Sequence, residues 1–241
     1  MSDVLTAFAT STVVTAGAAL VLREVLPRLL DKRFKKQEKE FDAKLRSASQ
    51  EEDAWRVYTF DARRRLYETV GPLRFQLLLA SRELASRVAM YPVRRYNMAH
   101  GGYYVTHFTY RVIRPLALAE LIERQIAYAD FSVDPQVLDL LRFKSAARAM
   151  LCKGEVIFND PDADWTRQRE HFFSGNFGGL ARSGLTDDPD DTVRVLREEE
   201  FGKVIDEREM SAHAHRMLAT LDLEGTPRLW ARLTGYGYVA N

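Results

Sequence analysis

The sequence predicts an all-α protein: an N-terminal single transmembrane helix, a charged helical stalk and a compact multi-helix cytosolic domain. Three observations point there. Residues 4–22 carry no charged side chain, whereas Arg23, Arg28, Lys32, Arg33, Lys35 and Lys36 gather just beyond. Apolar residues downstream recur at helical spacing, and strand-like alternation is confined to a few residues at Tyr103–Val105, where the helical continuation outcompetes it. Neither an internal repeat nor a low-complexity tract interrupts the pattern.

The first element is residues 1–23, read as the anchor. At about 1.5 Å per residue, a helix over residues 4–22 approaches the roughly 30 Å of a bilayer's hydrocarbon core. Basic residues on one side only place the N-terminus outside and the C-terminal domain in the cytoplasm of an inner-membrane protein. The six cations named above would lie at the membrane surface, where each is worth about 1 kcal/mol against anionic lipid. Thr6, Thr10, Ser11, Thr12 and Thr15 dilute the segment, so a helix packed in a soluble core competes with this reading. A cleaved signal peptide fits less well, because Asp3 stands where a basic leader is needed. Ala7, Ser11, Thr15 and Ala19 recur every four residues and form a small-residue face suited to self-association.

Residues 24–50 read as the stalk. Between Arg23 and Arg46 there are nine Lys or Arg against five acids. Phe34, Phe41, Ala48 and Trp55 keep a seven-residue spacing, but the second seam position falls on Gln37, Lys44 and Glu51, which is thin for a coiled coil.

Residues 51–241 read as the helical domain. Helices are predicted over about 51–70 and 72–91, broken and reversed at Gly71-Pro72. A loop follows over 92–102, then a helix over 103–128 containing Pro115. Asp134-Pro135 opens the next, with an N-cap and an N1 proline, running to about Phe158. A helix is expected over 164–173, and Gly175, Gly178 and Gly179 then make a stretch too glycine-rich to stay regular. Modest helices over 191–203 and 206–221 and a last one from Thr226-Pro227 complete the chain.

Composition sets the compartment but not the activity. The lone Cys152 sits among Ala149, Met150 and Leu151, the context of a buried thiol in a reducing cytosol. A net charge of +1 gives no overall polyanion footprint. From Glu155 to Glu209 there are fifteen acids against seven bases, which marks an acidic distal part.

The candidate constellations are weak. Of His100, His107, His171, His213 and His215, only the last pair is close, and residues two apart on a helix diverge. Asp160, Asp162 and Asp164 mimic a calcium loop's start, but Trp165 and His171 stand where glycine and glutamate are needed. No metal and no cofactor are therefore expected. Arg94, Arg95, His100, Tyr103, Tyr104 and Arg111 mark a candidate binding groove. The same Arg/Tyr tract, 91–114, suits nucleic acid only weakly because the domain is not basic. No catalytic residue is assigned. The expected function is a non-enzymatic scaffold, sensor or effector acting at the membrane through a protein partner or a homo-oligomer. The alternatives are a hydrolase using His171 with Glu170 and nearby aspartates, and nucleic-acid binding through the 91–114 tract.

Overall fold

A computed structural model describes residues 26–94, 96–126, 133–134, 136–153, 170–190 and 192–240. Among them seven helices and two short strands are found: α1 Leu26–Arg94, α2 Tyr103–Ile126, α3 Gln136–Cys152, α4 Phe177–Arg182, β1 Leu185–Asp187, β2 Val193–Val195, α5 Glu198–Val204, α6 Glu209–Leu218 and α7 Pro227–Ala240. The chain divides into two compact units, Met1–Phe60 and Asp61–Asn241, with the division falling inside α1. The mostly helical architecture agrees with the all-α expectation.

The membrane assignment is corrected. Among the described residues no helix is long and apolar enough to cross a membrane, which overturns the single-pass inner-membrane localisation. Within α1 the obstacle is charge density, with cations and acids in almost every turn from Lys32 onward. The span itself (residues 4–22), the face Ala7, Ser11, Thr15 and Ala19, and Arg23 lie outside the described residues.

In the first unit, α1 presents residues 32–58 to solvent without a packed face. In the second unit the same helix continues through Gly71 and Pro72, where the sequence suggested a break. An interior proline costs about 3 kcal/mol. Leu66, Val70, Leu77, Leu84 and Val88 are all buried on this stretch, at about 1.5–3 kcal/mol each, so packing wins. Pro72 is itself exposed, which leaves the freed carbonyl region open to water.

The core of the second unit forms around α2. Val105, Phe108, Val112, Ile113, Leu116, Leu118 and Ile122 are buried, and Pro115 is accommodated inside the helix. One cluster joins Leu84 and Val88 of α1 to Phe108 and Ile113 of α2, Leu151 of α3 and Leu229, Leu233 and Tyr236 of α7. A second joins Leu66, Val70 and Leu77 to Leu118 and Ile122. Three tyrosine hydroxyls in this core donate to backbone carbonyls: Tyr91 to Leu221 at 2.7 Å, Tyr110 to Leu196 at 3.0 Å and Tyr236 to Val112 at 3.1 Å. Burial pushes all three phenols above their ordinary pKa.

Two local departures from the sequence reading have physical causes. The glycine stretch is helical over Phe177–Arg182 because its glycines allow close packing: a Cβ on Gly179 would stand 3.0 Å from Met210 Cγ. Leu185–Asp187 and Val193–Val195 pair antiparallel, Leu185 opposite Val195, where the sequence suggests none, because three-residue strands are too short to show alternation. The predicted extension of α3 to Phe158 and the helix over 164–173 fall largely outside the described residues. α3 is described to Cys152, a buried thiol.

Candidate functional site

The turn before α2 is built from short-range chemistry. Asn97 Oδ1 accepts the Ala99 N–H at 3.1 Å, and the Gly102 N–H donates to the Ala99 carbonyl at 2.9 Å. Gly101 has φ +74°, a conformation glycine adopts without penalty. A Cβ on Gly102 would come within 2.8 Å of the Ala99 oxygen. The two glycines thus close a tight turn with His100 at its exposed tip.

The second wall comes from the α5–α6 junction. Ser211 is buried, and its hydroxyl donates to the carbonyls of Ile205 at 2.8 Å and Arg208 at 3.0 Å, which fixes the turn that carries Asp206. On α6, Ala212, Ala214, His215 and Leu218 face inward. His215 is 1% exposed and its Nδ1 lies 3.2 Å from Asp206 Oδ1. Its Nε2 lies 3.5 Å from Thr106 Oγ1 on α2, a hydroxyl that also donates to the Gly102 carbonyl at 3.1 Å. The imidazoles of His100 and His215 have centroids 4.8 Å apart. One ligand atom from each of His100, Asp206 and His215 lies within 4.8 Å of the other two, the group among the described residues with a metal-ligand pattern. Sequence spacing passed over this cluster, because its members come from the turn before α2, the α5–α6 junction and α6. The only close histidine pair in sequence is split instead. His213 lies outside the cluster, partly buried, and burial lowers its pKa.

Beside the turn, rings pack along the start of α2. Tyr103 and Tyr104 are exposed, with centroids 5.5 Å apart; Tyr104 lies 5.2 Å from Tyr96, and Tyr103 lies 3.8 Å from the His107 ring. Arg87 stacks over Tyr96 at 4.8 Å. His107 Nδ1 contacts Glu198 Oε1, to which Arg111 also donates at 3.3 Å. Arg114 pairs with Glu83 at 3.0 Å. Arg94 is exposed in the last turn of α1, and Arg95 lies outside the described residues.

The remaining predicted residues lie elsewhere. Lys32, Arg33, Lys35 and Lys36 are exposed on α1, and Arg28 belongs to the same helix. Glu170 is buried, and its Oε2 accepts the Arg228 N–H at 3.0 Å, satisfying a free donor in the first turn of α7. His171 is buried beside Phe173, with ring centroids 4.7 Å apart. Asp160, Asp162 and Asp164 lie outside the described residues.

No protein-family model, curated protein or solved structure matches this chain.

Proposed function

We propose that this chain is a non-enzymatic scaffold, sensor or effector that works through protein contacts, with the first-unit part of α1 as its contact element. One observation carries the reading: every side chain from residue 32 to 58 is exposed, including Phe34 (64%), Phe41 (63%) and Trp55 (62%). Helices in water draw most of their stability from packing an apolar face, and this stretch packs none. Phe34, Phe41, Ala48 and Trp55 supply such a face at seven-residue spacing, with Leu45 beside it.

Charge selects a second copy as the partner. From Arg28 to Lys39 there are six bases against two acids; from Glu40 to Asp53 there are five acids against two bases. An antiparallel pair sets each basic block against the other's acidic block, whereas a parallel pair would stack like charges. The hydrolase alternative has less support, since the Glu170 carboxylate is engaged at the start of α7. Nucleic-acid binding loses support from the pairing of Arg111 and Arg114 with acids.

Light scattering on the full chain tests the proposal. A mass of two chains of 27.6 kDa is expected, and Phe34→Glu with Phe41→Glu should return it to one. A wild type that stays monomeric at high micromolar concentration would sink self-association.

A further inference from the structure

We propose that His100, Asp206 and His215 form a binding site for a divalent transition metal of borderline softness, with Zn²⁺ as the defining case. The argument begins at the His215–Asp206 contact. The Thr106 hydroxyl, donating to the Gly102 carbonyl, has lone pairs to accept a hydrogen bond from His215 Nε2–H. That tautomer leaves Nδ1 with a lone pair facing a carboxylate oxygen 3.2 Å away. Two lone-pair donors at that distance need a cation between them, either a proton or a metal ion. Tetrahedral Zn²⁺, with bonds of about 2.0–2.1 Å, holds its ligand atoms roughly 3.3 Å apart. The His215–Asp206 pair therefore already has the separation the metal imposes.

His100 supplies the third ligand. It rides on an exposed turn and needs to close by at most about 1.5 Å from a 4.8 Å separation to meet the same ion. Two imidazoles and one carboxylate suit Zn²⁺, Co²⁺, Ni²⁺ or Fe²⁺ rather than Ca²⁺ or Mg²⁺, which prefer all-oxygen shells. Thr106 acts as a positioning residue, holding the far ring nitrogen as outer-shell partners do. His100 and Asp206 are exposed, so water completes the coordination from the open side. A bound ion would tie together the turn before α2, the α5–α6 junction and α6. The site is independent of the first-unit contact element, so either proposal can fail alone.

The experiment is titration of the full-length protein with Zn²⁺ by calorimetry and with Co²⁺ by visible absorption. His100→Ala and Asp206→Asn alter exposed residues and should leave the far-UV dichroism unchanged. The expected result is one ion per chain, with each variant binding at least about tenfold more weakly, equivalent to 1.4 kcal/mol. The His213→Ala variant, which changes the neighbouring imidazole outside the cluster, should bind as wild type does. The proposal is overturned if wild type binds no more tightly than the His100→Ala/Asp206→Asn double variant, or if His213→Ala weakens binding as much as His100→Ala.

Discussion

Lys144 on α3 donates to Glu120 on α2 at 2.7 Å, and this pair lies against the core rather than on the open surface. Burial alone would raise the Glu120 pKa, but hydrogen bonds and charge from Lys144 and Arg124 outweigh it and hold the carboxyl below its usual value. Lys144 is shifted the opposite way: burial would lower it, and Glu120 and Glu123 raise it. The pair therefore couples α2 to α3 electrostatically as well as through packing.

Breaking one side of that pair should cost more than removing both. Lys144→Met leaves a carboxylate that is 9% exposed with Arg124 as its remaining partner. A loss of about 1–3 kcal/mol is expected, below the range for a fully buried orphan because Arg124 stays. Lys144→Met combined with Glu120→Leu should recover at least half of it. Urea unfolding of the three proteins measures this. A double variant no more stable than Lys144→Met would show that the pair contributes little coupling.

A steric prediction concerns Gly184, where a Cβ would meet Ala117 Cβ at 2.8 Å and Ile113 Cγ2 at 2.9 Å. Both neighbours belong to the tightly packed α2, and neither is the end of a flexible chain. Gly184→Ala should destabilise by about 1–3 kcal/mol, the usual cost of overpacking. Gly175→Ala meets nothing within 4 Å and should stay within about 0.5 kcal/mol of wild type. Thermal melts of the two variants compare them directly, and equal melting temperatures would count against the close approach.

Legibility from sequence divided along a physical line. The spacing of Val105, Phe108, Val112, Ile113 and Leu116 marks α2 because burial on one helix face is periodic. The continuity of α1 through Gly71-Pro72 was not legible, since local breaker chemistry is visible in sequence while the packing of Leu66, Val70 and Leu77 that overrides it is not. The paired strands at 185–187 and 193–195 are flanked by Arg194's bridge to Asp188 and Glu200, each six residues away, a separation that follows no helix or strand spacing rule. The candidate site divides the same way. His100, Tyr103, Tyr104 and Arg111 were singled out by their residue types, but Asp206 and His215 reach His100 only through the fold.

The Arg194–Glu200 ion pair gives the pH prediction. Hydrogen bonds from Arg194, followed by the Arg197 N–H, hold the Glu200 carboxyl down to about 2. Arg194 Nη1 and Nη2 meet its two oxygens at 2.7 and 2.9 Å, a bidentate geometry. The unfolded carboxyl titrates at about 4.3, so the folded chain binds this proton less readily than the unfolded chain does. The stabilisation is therefore fully present above about pH 4.3 and is lost as the pH falls toward about 2. Carboxyl NMR of the intact protein should give a Glu200 midpoint well below those of exposed glutamates. In Arg194→Met that midpoint should rise toward 4.3, and the pH-dependence of stability between about 2 and 4.3 should flatten. A Glu200 midpoint unchanged by Arg194→Met would mean that the Arg197 N–H, and not the guanidinium, sets the carboxyl's acidity.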